Sequence, residues 1–184
     1  MEIVPTELPG VLLIQPRVHR DERGFFLESF RDDALRAAGV TAPFVQGNHS
    51  RSVKGTLRGL HFQVHPGQAK LVRCTRGAVW DVVVDIRPRS ATFGRWMSQL
   101  LDDEGHQQLF IPVGFAHGFC VLSDEADFIY RVSNYYDPAT ESGIAWDDPD
   151  LAIPWPDPKP ILSKRDLGLP RLTEVKDRLP DVAV

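Results

Sequence analysis

The sequence predicts an all-β fold, built as a β-sandwich or barrel. Short apolar stretches rich in Val, Ile, Phe and Tyr recur at roughly ten-residue spacing, as in all-β domains. The 14 glycines and 15 prolines separate these stretches and form no low-complexity tract. The length of 184 residues, with 42% hydrophobic and 25% charged residues, is that of one globular domain. We therefore expect a single domain over residues 1–184.

Ten of the apolar stretches are predicted strands. In chain order they cover residues 11–15, 24–30, 44–50, 57–63, 70–75, 78–86, 95–101, 108–113, 117–122 and 127–133. The period-two alternation that marks a strand is clearest in 78–86. One face carries Asp81 and Asp85, and the other carries only apolar side chains, those of Ala78, Trp80, Val82, Val84 and Ile86.

One helix and one irregular segment complete the predicted elements. A helix is expected over 31–40, where Asp32 or Asp33 can cap the start and Gly39 can end it. Residues 149–160 contain five prolines, which excludes a helix or a central strand. We expect this proline-rich segment to lie extended over the surface of the sandwich, with Ile153 and Trp155 as its anchors.

Charge and hydropathy argue against several classes of partner. The net charge is −4, and the sequence lacks the block of Lys and Arg residues that is typical of nucleic-acid binding. The longest apolar runs are far shorter than the ~18 residues of a membrane span. The first ten residues, MEIVPTELPG, lack the basic start of a secretion signal, and the 2 cysteines cannot form a disulfide framework. We therefore expect a cytoplasmic protein without nucleic-acid or membrane partners.

Residues 57–72 place a histidine near a lysine. The turn signal at 65–67 predicts a hairpin that pairs His61 with Lys70, about 5 Å apart on one face. An imidazole beside an ammonium suits removal of a proton next to a carbonyl, because the cation stabilises the enolate oxygen. Tyr130, on another predicted strand, is able to return a proton from the opposite side. Such residues are also common in cores, so a structural role stays open for each of them.

The histidine pattern does not favour a metal site. Metal-binding cupins, a family of small β-barrels, carry a His-x-His pair on one strand, but His61 is followed by Phe-Gln. Residues 112–117 match a cupin-like P-x-G-x-x-H turn that ends at His117. Two histidines without a third ligand fall short of a catalytic zinc site. We expect no metal.

The chain resembles the dTDP-4-dehydrorhamnose 3,5-epimerases, a cupin-like jelly-roll family. Nine segments match in the family's order: DERGFFLESF, QGNHS, LRGLHFQ, QAKLVRC, AVWDVVVDIR, SATFGRW, IPVGFAHGF, YRVSNYYDPATESGIAWDDPDLAIPWP and PILSKRD. The resemblance implies a cofactor-free enzyme. It also implies conversion of dTDP-4-dehydro-6-deoxy-D-glucose to dTDP-4-dehydro-L-rhamnose, through an enolate, at sugar carbons 3 and 5.

The same resemblance implies a role for each of four residues in the reaction. His61 matches the general base, and Asp166 matches the carboxylate that holds the imidazole in one tautomer. Lys70 matches the cation near the enolate oxygen. Tyr130 matches the general acid on the opposite face of the sugar.

Further residues match the family's nucleotide-sugar contacts. Tyr136 corresponds to an aromatic that stacks on thymine, and the other matching positions are Arg23, Glu28, Gln46, Asn48, Arg58, His117 and Glu141. The resemblance also implies a homodimer with exchanged N-terminal strands, in which Arg23 and Glu28 serve the partner's site. Strict alternation sends Arg58 and His61 to opposite faces, so both reach one site only if the strand bulges near Gly59.

The chain departs from the family pattern next to Asp166. Arg165 stands where the family usually has Lys; it still suits a phosphate, with a different geometry. A mono-epimerase acting at carbon 3 or 5 alone shares the fold and the residues, and product analysis separates it. A metal-dependent cupin oxygenase or a non-catalytic sugar-binding cupin is the more distant alternative.

Overall fold

Two antiparallel sheets pack face to face, so of the two predicted architectures the sandwich is confirmed. The computed structural model describes residues 1–180 and Val182. Its strands are β1 (Glu2–Pro5), β2 (Leu12–Gln15), β3 (Val18–Asp21), β4 (Gly24–Leu27), β5 (Gln46–Val53), β6 (Leu57–Gln63), β7 (Lys70–Arg76), β8 (Ala78–Asp85), β9 (Trp96–Asp102), β10 (Gln108–Ile111), β11 (Phe115–Val121), β12 (Glu125–Val132) and β13 (Glu141–Gly143).

The six-stranded sheet has the order β1-β2-β10-β7-β12-β5, and the five-stranded sheet has the order β13-β6-β11-β8-β9. Strands β3 and β4 form a separate two-stranded hairpin. All ten predicted strands are present. The strands that the sequence did not reveal are β1, β3 and β13, which are 4, 4 and 3 residues long.

Apolar side chains are buried on both sides of the five-stranded sheet. Val79 and Val83 of β8 join the cluster between the sheets, whereas Val82 and Val84 join a cluster on the outer side. The alternation predicted for β8 is therefore present, but the face that carries Asp81 is buried as well. A central strand that is covered on both sides is buried throughout.

The proline-rich segment covers the outer side of this sheet. Ile153 and Trp155 are 9% and 8% exposed and belong to the outer cluster. The indole of Trp155 packs edge to face on Trp80, with ring centroids 5.3 Å apart, and its Nε1 donates to the carbonyl oxygen of Trp146 at 2.7 Å. These contacts hold the chain that leads on to Asp166.

The predicted helix is present as α1 (Asp32–Ala37). The predicted capping by Asp32 or Asp33 is wrong: Arg31 is the N-cap residue, no side chain caps the helix, and both aspartates lie in the first turn. Gly39 follows the helix with φ +90°, as expected for its end. Three short 3-10 helices follow, Asp166–Gly168, Leu172–Glu174 and Lys176–Arg178. Among the described residues, no helix is long and apolar enough to cross a membrane.

The predicted hairpin of β6 and β7 is wrong. Strand β6 pairs with β11 and β13, and β7 pairs with β10 and β12, so the two strands lie in different sheets. The connection around His65-Pro66 carries the chain across the sandwich. His61 and Lys70 nevertheless come close, because their strands face each other across the interior.

The predicted bulge near Gly59 is confirmed. His61 lies opposite His117 and Arg58 lies opposite Phe119, so three steps along β6 match two along β11. Gly59 has φ +133°, and a Cβ added there would lie 2.5 Å from the Cα of Gly118. Only glycine fits this position, and the extra residue turns Arg58 toward the same site as His61.

Candidate active site

A pocket of about 690 Å³ opens between the two sheets. Strands of both sheets and the segment after the proline-rich stretch contribute to its wall. Of the residues singled out from the sequence, those that line it are Asn48, Arg58, His61, Lys70, His117, Tyr130, Tyr136, Glu141, Arg165 and Asp166.

His61 and Asp166 form a close pair. Nε2 of His61 lies 2.6 Å from Oδ1 of Asp166, and the two side chains are 18% and 4% exposed. Burial, chiefly, holds the pKa of His61 below its usual value, although the carboxylate opposes this. Burial, the largest single effect, works to raise the pKa of Asp166. The hydrogen bond and charge of His61, the hydrogen bond from Ser163 and the charge of Arg165 together outweigh it, so that pKa is lowered. A neutral imidazole beside an ionised carboxylate has the form of a general base.

Lys70 brings a cation to the same place from the opposite sheet. Its Nζ donates to the carbonyl oxygen of His61 at 3.2 Å, and the residue is 9% exposed. Burial lowers the pKa of Lys70 to about 8, against the attraction of Glu141 and Asp81. Near neutral pH the ammonium is therefore charged and poorly hydrated, a state in which it stabilises a neighbouring oxyanion strongly.

Tyr130 approaches the pocket from the sheet opposite His61. It lies on β12, where it pairs in register with Asn48 of β5. Burial and the charge of Glu141 raise the pKa of Tyr130, so its phenol keeps its proton at neutral pH. The pocket thus has an acid on one wall and a base on the other.

Asp81 is a site residue that the sequence reasoning missed. Its Oδ2 lies 2.8 Å from Nε2 of His117, and both side chains are buried, at 0% and 8% exposed. Its Oδ1 has no hydrogen-bond partner among the described residues, and burial raises its pKa. The signal was available, because Asp81 interrupts an apolar inward face between Val79 and Val83. Such a residue is buried only with a partner.

Polar side chains link the two sheets deeper in the pocket. Nε of Arg58 donates to Oγ of Ser52 at 3.0 Å. Gln63 is 5% exposed, lines the pocket and has an Nε2 group without a partner among the described residues. Gln63 therefore leaves one buried donor beside the pocket that pairs with no described residue.

At the mouth, Arg165 joins several of the predicted residues. Its Nη1 donates to Oε2 of Glu141, which also accepts from the hydroxyl of Tyr136 at 2.8 Å. Gln46 does not line the pocket itself. It supports the pocket wall, because its Nε2 donates to Oδ1 of Asn48 at 2.8 Å and its Oε1 accepts from the backbone N–H of Tyr136 at 3.0 Å.

Two predicted residues lie outside the pocket of this chain. Arg23, in the β3–β4 turn, is 85% exposed at its side chain and pairs with Asp21 at 2.5 Å. Glu28 follows β4 and lies 3.7 Å from Arg31. The structure of one chain therefore does not bring them to His61.

The donor set of the pocket suits proton transfer. Among residues 1–180 and Val182, no group of three or more His, Cys, Asp or Glu side chains is placed to hold a metal ion. The assembled groups are a neutral imidazole, a protonated phenol, a buried ammonium and hydrogen-bond donors. That combination can move a proton onto and off a carbon next to a carbonyl.

Comparisons with known proteins agree with this chemistry. The family model described as dTDP-4-dehydrorhamnose 3,5-epimerase matches residues 5–174. The dTDP-4-dehydrorhamnose 3,5-epimerase of Escherichia coli K12 is 53% identical over 178 residues, 95% of this chain and 96% of that protein. A dTDP-4-dehydrorhamnose 3-epimerase of Streptomyces niveus is 46% identical over 96% of this chain and 86% of that protein.

A solved structure of a relative matches the whole fold. It is the dTDP-6-deoxy-D-glucose-3,5-epimerase of Legionella pneumophila, in complex with dTDP-4-keto-L-rhamnose. The match has a TM-score of 0.96 at 45% identity and covers 100% of this chain and 99% of the other. The sequence match over nearly the whole chain and the match in fold lead to one conclusion. This chain belongs to the dTDP-4-dehydrorhamnose 3,5-epimerase family.

Proposed function

We propose that this chain converts dTDP-4-dehydro-6-deoxy-D-glucose to dTDP-4-dehydro-L-rhamnose by inverting sugar carbons 3 and 5. The position of acid and base on opposite walls of one pocket carries the proposal. His61 comes from the five-stranded sheet and Tyr130 from the six-stranded sheet. Inversion at carbon needs a proton to leave one face and return to the other, and this arrangement supplies a group for each face.

Each inversion is a deprotonation followed by a reprotonation. His61 removes the proton from the carbon next to the 4-keto group, and the bonding electrons move into an enolate whose oxygen lies near Lys70. Tyr130 then gives its proton to the same carbon from the opposite face. His61 is left with one proton more and Tyr130 with one less. Before the second carbon reacts, His61 loses its extra proton to solvent and Tyr130 regains a proton from solvent. Asp166 keeps the imidazole in one tautomer throughout.

The remaining pocket residues bind and orient the nucleotide-sugar. Tyr136 is placed at the mouth, where its exposed ring can stack on the base. Arg58 and Arg165 are cations suited to the diphosphate. The other polar residues of the pocket that we assign to binding are Asn48, His117 and Glu141, with Gln46 behind Asn48.

The test is incubation with dTDP-4-dehydro-6-deoxy-D-glucose in D₂O, read by mass spectrometry and proton NMR. We expect deuterium at carbons 3 and 5 and the L-sugar as product. His61→Ala should lose at least the ~10²–10⁴-fold that general-base catalysis contributes. Absence of enzyme-dependent exchange in the wild-type chain would refute the proposal.

A mono-epimerase is the second candidate. The Streptomyces niveus relative is named a 3-epimerase and is 46% identical to this chain, so family membership alone does not separate the two activities. The same D₂O experiment does: deuterium at one carbon alone assigns this chain to the mono-epimerases. A non-catalytic sugar-binding cupin predicts no exchange and unchanged sugar binding in His61→Ala.

We also propose a homodimer in which the β3–β4 hairpin of each chain reaches the other chain's pocket. In support, the hairpin forms its own two-stranded sheet, and it exposes Phe25 at 54% and Phe26 at 73%. Exposed aromatics of this kind are typical of an interface. Arg23 and Glu28 would then complete the partner's site, which explains why they lie away from their own.

Two further sequence predictions stay proposals. We propose that residues 1–184 act as one domain, because both apolar clusters draw on the same strands β8 and β11. The cytoplasmic location also stays a prediction. Fractionation of cells that produce the tagged chain tests it directly.

A further inference from the structure

Arg165 contacts the same ring nitrogen of His61 that Asp166 holds. Nη2 of Arg165 lies 3.1 Å from Nε2 of His61, and Oδ1 of Asp166 lies 2.6 Å from that nitrogen. In a neutral imidazole, Nε2 carries either a proton or a lone pair. It therefore donates to Asp166 or accepts from Arg165, and it cannot do both. The guanidinium and the carboxylate compete for one atom.

Arg165 holds this place through contacts at the pocket mouth that can be exchanged. Its Nη1 donates to Oε2 of Glu141, and its side chain is 52% exposed. Its Nε lies 3.8 Å from Oδ1 of Asp166, longer than a hydrogen bond. A guanidinium presents a planar fork of donors that fits two phosphate oxygens better than it fits one imidazole nitrogen. A diphosphate in the pocket is therefore able to draw it away.

The groups that face His61 determine how this movement changes the imidazole. Burial has the largest effect and lowers its pKa; Asp166 raises it, and Lys70 and Arg165 lower it. Of these two cations, Lys70 is 9% exposed and fixed, whereas Arg165 is at the surface. The other titratable or charged groups that line the pocket are Arg51, Arg58, His117, Tyr130, Tyr136 and Glu141.

We propose that Arg165 is a positioning residue that weakens His61 as a base in the empty site and frees it when a nucleoside diphosphate enters. The guanidinium moves from Nε2 to the diphosphate, Nε2–H donates to Asp166 alone, and Nδ1 becomes the proton acceptor. This inference rests on the proposed function, because the diphosphate is part of that substrate. It also gives a reason for Arg at this position: its planar fork of donors can leave His61 for two phosphate oxygens, whereas the single ammonium of Lys fits that exchange less well.

The pH dependence of the reaction tests the inference. The kcat/KM profile reports the pKa of His61 in the free enzyme, and the kcat profile reports it in the substrate complex. In Arg165→Gln, we expect the acid limb of kcat/KM to move to higher pH, whereas the acid limb of kcat stays where it is in the wild type. KM should rise about tenfold to a hundredfold, because a charged hydrogen bond to phosphate is lost. Lys164→Gln removes the same charge one residue away and should leave both limbs unchanged.

Nitrogen NMR of ¹⁵N-histidine-labelled chain, with dTDP as the probe, tests the same point without turnover. The His61 signals are identified by their absence in His61→Gln. We expect dTDP to move the titration midpoint of His61 to higher pH, and by more in the wild type than in Arg165→Gln. In the ligand-free Arg165→Gln variant, the midpoint should already lie above that of the wild type.

The outcomes separate the inference from the proposed function. Equal midpoints in ligand-free wild type and Arg165→Gln overturn the inference, even if deuterium exchange is normal. Absence of deuterium exchange and of dTDP binding overturns the proposed function. The comparison of the two ligand-free proteins still decides whether Arg165 controls the basicity of His61.

Discussion

Lys70 shows how burial sets a chemical property of a single residue. Its ammonium is almost fully enclosed, yet the proposed mechanism requires it as a charge beside the enolate oxygen. Burial lowers its pKa to about 8, so the charged form predominates at neutral pH and disappears in mildly alkaline solution. The rate of epimerisation should therefore depend on a lysine in a range where lysine usually does not titrate.

We predict that kcat/KM falls as pH rises through about 8, because Lys70 of the free enzyme is charged below its pKa and neutral above it. A pH series of deuterium exchange measures this limb. Arginine stays charged to much higher pH than this buried lysine, so in Lys70→Arg the decrease in rate should move to higher pH. Lys70→Gln should be slower by about 10²–10³-fold, the loss typical of one oxyanion donor, with no limb near pH 8. A limb that persists in Lys70→Gln would assign it to another group.

Single residues also show which contacts of the site could be predicted from the sequence alone. His61 and Lys70 were recognised as neighbours, because their positions on two strands suggested it, although through the wrong pairing. Asp166 is separated from His61 by 105 residues, and no spacing rule connects the two; only the family resemblance did. The alternation of β8 places Asp81 on a polar face, but its partner His117 comes from another strand, and no pattern in the sequence connects the two.

At the level of elements, the bulge in β6 brings Arg58 and His61 into one pocket. We predict that Gly59→Ala lowers the free energy of unfolding by at least about 1–3 kcal/mol, the usual cost of a strained backbone. The added Cβ would lie 2.5 Å from the Cα of Gly118 and 2.9 Å from the carbonyl oxygen of His117. Urea unfolding measures the loss.

Gly47→Ala is the matched control for this substitution. Gly47 also lies within a strand, but it has ordinary φ, and a Cβ there would have nothing within 4 Å. Its effect should stay within about 0.5 kcal/mol. Equal stability of the two variants would show that the bulge does not depend on glycine.

The strands were predictable as elements, and their partners were not. Apolar stretches and Gly/Pro signals located ten of the thirteen strands in the described part of the chain, because each pattern is local. The same signals at His65-Pro66 fit both a hairpin and a crossing from one sheet to the other. The choice depends on which strands β6 and β7 pair with. Those partners, β11 for β6 and β10 and β12 for β7, come later in the chain.

For the whole molecule, the proposed dimer makes a quantitative prediction. Arg23→Ala and His61→Ala should each be inactive, but a mixture of the two, unfolded and refolded together, should regain activity. If Arg23 serves the partner's pocket, each mixed dimer has one complete site. Random pairing then yields about a quarter of wild-type activity, since half of the dimers are mixed and each of these has half its sites intact.

The same mixture contradicts the placing of Arg23 in the partner's pocket if it stays inactive while each variant folds and binds dTDP. Arg23 would then act within its own chain. Mixing His61→Ala with Asp166→Asn is the control: both residues belong to one pocket of one chain, so no mixed dimer has a complete site. That mixture should remain inactive.

The crossing between β6 and β7 has a consequence for how the protein acquires its activity during synthesis. Because consecutive strands enter different sheets, no early fragment of the chain can close a pocket locally. The carboxylate that orients His61 follows it by 105 residues, after the last strand of both sheets. Closing so long a loop is slow, and the entropy that it costs is offset only when the late strands are in place to make contacts. We therefore expect a nascent chain on the ribosome to have all the strands of the sandwich before it has any epimerase activity.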